Sequence, residues 1–281
     1  MSDALLHLSR QIEDLLVARN IRGMQSLQAA LLPGYLLRAA TLLNENPGTV
    51  LIGTGFPVTD TFETDGPVGA VALYNALLTL GYSPVLVCGE PLFSALSSDY
   101  QCIRIRDNEL PEARRETRQL LEQYAPSLVI SIERPGLSAD GRYYNMRSED
   151  ISDRCACYDY FLIDSQCPTI AIGDGGNEIG MGKVLDAVKS LNIVPAVTSC
   201  DELVVADVSN WAAYGILALL GKLRGMDLLE GIQPEQILSY LSKRGSVDGV
   251  TRENTLTEDS LCFSAGVELI EQIRDVWRSA P

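Results

Sequence analysis

"PTIAIGDGGNEIGMG" (Pro168–Gly182) starts as an apolar run and ends in five glycines, two carboxylates and an asparagine. A short apolar run without polar alternation, stopped by glycine, is the pattern of a strand buried on both faces. The polar loop behind it marks where such a strand leaves the core. "SLVISIE" (Ser127–Glu133), "TVLIGTG" (Thr49–Gly55), "PVLVCG" (Pro84–Gly89) and "DELVVAD" (Asp201–Asp207) repeat the pattern, and "QCIRI" (Gln101–Ile105) is a weaker copy. Helical stretches lie between them: "GPVGAVALYNALLTLGY" (Gly66–Tyr82), with proline near its start and Gly81 at its end, "LPEARRETRQLLEQY" (Leu110–Tyr124), a segment from about Asn177 to Leu191, and "NWAAYGILALLGKL" (Asn210–Leu223). Strands alternating with helices predict an α/β fold, a largely parallel sheet flanked by helices on both faces. Leu5–Ala18 and Gly34–Asn46 form an N-terminal helical segment, and helices near Pro234–Lys243 and Glu258–Arg278 close the chain. There is no internal repeat and no low-complexity linker, so one domain over residues 1–281 is expected.

The bulk composition narrows the chemistry. A chain of 281 residues, 46% hydrophobic, can bury a substantial core. No run approaches the ~18–20 apolar residues that span a bilayer. The N-terminal "MSDALLHLSRQIEDLL" carries acids within its helical pattern, unlike a signal peptide. A cytoplasmic address without a membrane partner is expected. Thirty-seven acids against 22 Lys and Arg give a charge of −15, so nucleic acid is not an expected partner. The densest basic stretch, "ARRETR" (Ala113–Arg118), lies among Glu109, Glu112, Glu116 and Glu122 and reads as a solvated helix face. Seven cysteines, several in apolar runs, suit buried thiols in a reducing compartment; "CAC" (Cys155–Cys157) lacks the second pair a zinc site needs. The single histidine, His7, excludes a His-rich metal centre within one chain and makes a histidine-based triad implausible. Acid–base chemistry therefore falls to Asp, Glu, Lys, Tyr, Cys or a metal-bound water.

Ligands of open parallel sheets sit beyond the carboxyl ends of the strands. Those ends carry acids here: Glu133, Asp174 with Glu178, and Asp207. The glycine-rich loop has neither GxxxxGK[ST] nor GxGxxG spacing, and its acids would repel a phosphate unless a cation lay between them. A hard-cation site with Asp174, Glu178, Glu133 and Asp207 as candidate ligands accounts for these residues. Oxygen donors without histidine favour Mn²⁺, Mg²⁺ or Ca²⁺. An anionic substrate would meet Arg134, Arg142 or Arg147 in the loop after Glu133, Thr54 at the first strand end, Lys183, and the amides at a helix start near Asn177. The competing reading is a tight strand-to-helix turn with incidental acids, and arginines paired to Glu149, Asp150 and Asp153.

The combined motifs resemble the D-glutamate cyclase C-terminal domain family: "RGM" (Arg22–Met24), "TGF" (Thr54–Phe56), "ETDGPVGA" (Glu63–Ala70), "ERPGLSADGRYYNMRSEDIS" (Glu133–Ser152), "GDGGNEIGMGKV" (Gly173–Val184), "VSNWAAYG" (Val208–Gly215) and "VDGVT" (Val247–Thr251). The resemblance covers almost the whole chain. It implies an α/β protein, a divalent cation with Mn²⁺ foremost, and cyclisation of D-glutamate to 5-oxo-D-proline with loss of water. In such a reaction an arginine would hold the α-carboxylate, and Glu133 or Glu178 would take the ammonium proton. The other classes open to these residues are a divalent-metal-dependent hydrolase of a small anionic substrate and a non-catalytic binder of an acidic metabolite. Self-association into a homo-oligomer is also allowed.

Overall fold

The computed structural model describes residues 3–106 and 109–280. In chain order the helices are α1 (Asp3–Leu16), α2 (Met24–Ala30), α3 (Tyr35–Glu45), α4 (Pro67–Thr79), α5 (Leu92–Leu96), α6 (Leu110–Tyr124), α7 (Asp159–Ile163), α8 (Leu185–Val188), α9 (Ser209–Arg224), α10 (Pro234–Ser242) and α11 (Phe263–Ser279). The strands are β1 (Thr49–Thr54), β2 (Pro57–Val58), β3 (Thr61–Phe62), β4 (Ser83–Cys88), β5 (Cys102–Arg104), β6 (Leu128–Ile132), β7 (Thr169–Gly173), β8 (Glu202–Val205), β9 (Thr257–Glu258) and β10 (Leu261–Cys262).

Six strands form a parallel sheet in the order β5-β4-β1-β6-β7-β8. All residues of β6, β7 and β8 are buried, which is why their sequences are apolar without alternation. The strand order reverses between β1 and β6. Right-handed crossovers then place α4 on one face of the sheet and α6 with α7 on the other. The strand ends are level: Thr54 lies opposite Ile132, Ile132 opposite Ile172, and Gly173 opposite Val205. The loops after β1, β6, β7 and β8 therefore share one rim at the reversal, where such sheets hold ligands.

Close packing sets the layers. Gly69 on α4 lets α9 approach, since a Cβ there would lie 2.9 Å from the Asn210 Cα. On the other face the Tyr158 ring fills the space a Cβ of Gly53 would need, donates its hydroxyl to the Ile130 carbonyl at 3.1 Å and stacks on Phe161 at 4.6 Å. Glu13 ties α1 to α3 by accepting the Gly34 and Leu36 amides at 3.1 Å each.

Two expected helices differ. No helix runs from Asn177 to Leu191; a 3-10 turn at Met181–Val184 leads into α8 alone. The glycines are the reason. Gly176 and Gly180 hold φ of +105° and +99°, and Asn177–Ile179 pairs with Arg134–Gly136 through Gly136 N to Asn177 O and Ile179 N to Arg134 O, both 2.9 Å. The last helix begins at Phe263 rather than Glu258 because a hairpin, β9–β10, occupies its expected first turn, with Asp259 and Ser260 left-handed at +50° and +67°. The basic "ARRETR" face is paired as a solvated helix would be: Arg114 and Arg118 to Asp164, Arg115 to Glu112. All seven cysteines are free, and no helix among the described residues is long and apolar enough to cross a membrane.

The loop after β7 is seated by contact. A Cβ at Gly180 would collide with the Ala171 Cβ on β7, on top of the left-handed φ. Gly180→Ala should destabilise the fold by about 3 kcal/mol, summing left-handed strain and overpacking. Urea denaturation checks it; an unchanged midpoint would contradict this apposition of loop and strand.

Candidate functional site

The site is built where α4 and α9 begin. Neither helix has a capping side chain of its own. Each borrows one from the other's approach. Asn210 Oδ1 accepts the Gly66 and Gly69 amides at 2.8 and 2.7 Å, capping α4. Asp65 accepts the Ser209 and Asn210 amides, both at 2.8 Å, capping α9. Ser209 and Asn210 thus do not cap their own helix. The Ser209 hydroxyl donates instead to Glu133, and the Asn210 amide donates to Glu258 at 2.6 Å.

Around these caps the strand-end loops bring buried acids together. Glu133 follows β6 in a left-handed conformation, φ +45°. Asp174 follows β7. Glu178 accepts the Gly176 amide at 2.7 Å. Asp259 enters from the β9–β10 turn. Carboxylate oxygens of Asp65, Asp174 and Asp259 lie within 4.8 Å of one another, and so do those of Glu133, Asp174 and Glu178. Asp174 belongs to both groups. Arg22, from the segment between α1 and α2, contacts both Asp174 and Asp259. A cavity of about 380 Å³ opens over the cluster, lined by Arg22, Glu63, Glu133, Asp174, Asn177 and Asp259 below and by Arg147, Arg154 and Arg252 among others.

Burial raises the pKa of Glu133, Asp174, Glu178 and Asp65 above the usual carboxylate range, and at Glu133, Asp174 and Asp65 repulsion from neighbouring acids adds to it. Burial pushes Glu133 up, and the Glu178 and Asp65 charges add to it. Burial raises Asp174 against the opposing charge of Arg22. It lifts Asp65 to about 7, helped by Asp259, and Glu258 to about 8, helped by Asp65. An acid whose folded pKa is raised keeps a proton that the unfolded chain has released. Stability therefore falls as pH rises from the ordinary values, 3.8 and 4.5, toward about 8. Metal-stripped protein should melt at a lower temperature at pH 8 than at pH 6, even in ~0.5 M salt that screens exposed charges. Mn²⁺ should reverse the trend. Equal melting temperatures at the two pH values would contradict the clustering of these acids.

The donor set fits a hard divalent cation. The clustered ligand atoms are carboxylate oxygens, with no cysteine or histidine among them; Asn177 lines the same cavity, and its buried Oδ1 has no partner.

The expected site residues separate into groups. Glu133, Asp174 and Glu178 come together, Asn177 lines the cavity, and Arg147 stands at it. Asn177 does so as a loop residue, not as the start of a helix. Asp207 has both oxygens on the Arg19 and Ile21 amides, at 2.7 and 3.2 Å, and holds the Arg22 segment in place. Arg134 donates to the carbonyls of Thr54, Gly55 and Ala156, bracing the loops from a smaller cleft beside the cavity, which Thr54 also lines. Arg142 is largely exposed and pairs with Asp150 at 3.2 Å. Lys183 donates to the Cys200 and Asp201 carbonyls, at the amino end of β8. Arg22, Glu63, Asp65 and Asp259 were not among the expected site residues. "RGM" and "ETDGPVGA" signal the first three, whereas Asp259 sits in a stretch that reads as helix.

The family described as D-glutamate cyclase-like, C-terminal, matches residues 12–274. The chain belongs to that family. Human D-glutamate cyclase, mitochondrial, is 31% identical over 212 residues, which are 66% of this chain and 34% of that protein. This D-glutamate cyclase-like chain thus aligns with about a third of the human relative's length. Among solved structures, the ligand-free aldohexose dehydrogenase of Thermoplasma acidophilum overlaps 83% of this chain and 88% of its own at 11% identity and a TM-score of 0.27. That overlap is too loose to carry fold or activity across.

Proposed function

We propose that this protein cyclises D-glutamate, or a close acidic amino acid, to 5-oxo-D-proline with loss of water, using a bound divalent cation, Mn²⁺ before Mg²⁺ or Ca²⁺. The observation that carries the reading is a buried carboxylate cluster centred on Asp174, at the sheet reversal of a chain belonging to the D-glutamate cyclase-like family.

Asp174 with Asp65 and Asp259, or with Glu133 and Glu178, would hold the ion. Once bound, the ion would polarise the γ-carboxylate, otherwise a poor electrophile. Arg147, at the cavity wall, binds the α-carboxylate through its planar fork. Holding the substrate at both ends folds it so that its amine faces its own γ-carbon. Glu133 lines the cavity and takes a proton from the ammonium group. The nitrogen then bonds to the γ-carbon and sheds a second proton, Glu133 returns the first, and one γ-oxygen leaves with both as water, so that Glu133 is regenerated. Glu178 is tied to the Gly176 amide and serves the cluster rather than the proton.

A chromatographic assay for 5-oxoproline, with metal-loaded protein and each glutamate enantiomer, tests the reading. Product from D-glutamate is expected. No product from either enantiomer, with Mn²⁺ bound, would falsify it; release of phosphate from a phosphorylated substrate panel would then point to a hydrolase, and binding without turnover to a metabolite-binding protein.

A further inference from the structure

Arg22 is the cation that reaches into the acid cluster. Its Nη2 touches the Oδ2 atoms of both Asp174 and Asp259 and lies 3.3 Å from the Asp207 carbonyl, while Nε donates to the Asp174 carbonyl at 3.2 Å. Asp174 and Asp259 are two of the three carboxylates that converge with Asp65. A divalent ion drawing on the same Oδ2 atoms would compete with the guanidinium for them, and like charge would repel the two at that distance. The two cations therefore exclude each other at those oxygens. The backbone beside Arg22 is fixed, because Asp207 accepts the Arg19 and Ile21 amides. The side chain is not enclosed: it is 16% exposed and borders the cavity. Displacement would swing the side chain alone, into open space. Asn177 lines the same cavity, and its buried Oδ1 has no hydrogen-bond donor, an unmet acceptor beside the cluster.

We propose that Arg22 is a placeholder cation. A divalent ion displaces its guanidinium from Asp174 and Asp259, and the released fork turns into the cavity to take the γ-carboxylate of the substrate. This rests on the cation reading given above. The placeholder shields the acids while no ion is present, and the exchange makes substrate binding depend on the ion having bound first. An arginine suits both positions, because its planar donors pair with a carboxylate at either.

Calorimetry of Mn²⁺ binding to metal-stripped wild type and Arg22→Met at pH 8 is the test. Arg22→Met should bind Mn²⁺ roughly tenfold more tightly, because no charge-assisted contact has to be broken first. The Mn²⁺-loaded variant should bind D-glutamate roughly tenfold more weakly than loaded wild type. Equal or weaker Mn²⁺ affinity in the variant overturns the displacement. Unchanged D-glutamate affinity overturns the substrate role. A wild type that binds no Mn²⁺ overturns this proposal together with the cation reading, so the two failures are told apart. If Arg22→Met does not fold, a crystal of wild type grown with Mn²⁺ decides: a guanidinium turned away from Asp174 and Asp259 supports the exchange, and one still on them refutes it.

Discussion

Asp174→Asn should lower Mn²⁺ affinity by roughly 100-fold or more and bring 5-oxoproline formation below detection. Asp174 is the one residue common to both converging carboxylate groups, so its loss weakens either arrangement. Changing a residue that only supports a metal ligand typically costs ~10–100-fold, and losing a ligand should reach at least the upper end. The same substitution weakens the contact with Arg22, so the melting temperature of the metal-free protein should be measured beside the affinity. Asp207→Asn is the comparison. Its carboxylate belongs to neither converging group and accepts the Arg19 and Ile21 amides, so that variant should keep Mn²⁺ affinity within a few-fold while loosening the Arg22 segment. Similar losses in both variants would show that the ion is not held at the Asp174 oxygens.

With the ion held by Asp174, Asp65 and Asp259, Glu133→Gln should cut kcat by roughly 10²–10⁴ while leaving Mn²⁺ and D-glutamate binding largely in place, whereas a matching loss of Mn²⁺ affinity would place the ion with Glu133 and Glu178. Glutamine keeps the length of the side chain and can still accept the Ser209 hydroxyl, but it cannot take a proton. Burial and neighbouring acids raise the pKa of Glu133 in the metal-free protein. A cation beside it would lower that value and leave a carboxylate able to accept the ammonium proton. Rates below the pKa of the base should fall with pH in wild type, and that limb should vanish in Glu133→Gln. A variant with near wild-type kcat would move the proton to another group, Glu178 first.

The strands were legible because burial on both faces leaves little choice of residue. "SLVISIE" and "PTIAIG" read as strands and are strands. The strand-end acids followed from topology, so Glu133, Asp174 and Glu178 were found together. What failed was local. Between Asn177 and Leu191 a helix-like spacing lost to glycines whose positions are set by contact with Ala171 and Val197, which lie outside that stretch. Asp259 was missed for the same reason, as its hairpin forms only against the rest of the site. Arg22 meets Asp174 across 152 residues and Asp259 across 237. No periodicity connects positions so far apart. The arginine-rich loop after Glu133 was a weaker guide. Two of its three arginines, Arg134 and Arg142, are engaged by backbone carbonyls and by Asp150.

The exchanged caps of α4 and α9 bear on how this chain could be divided. Gly66 and Asn210 are 144 positions apart, yet each helix start takes a side-chain cap from the other. A cut in any loop between them leaves two fragments, each with one helix end lacking its partner's cap and only part of the acid cluster. Neither fragment should form that cluster alone, but the pair carries complementary ends, Asp65 on one and Asn210 on the other. Such fragments are suited to reassembly on mixing, and return of Mn²⁺ binding would report their reunion.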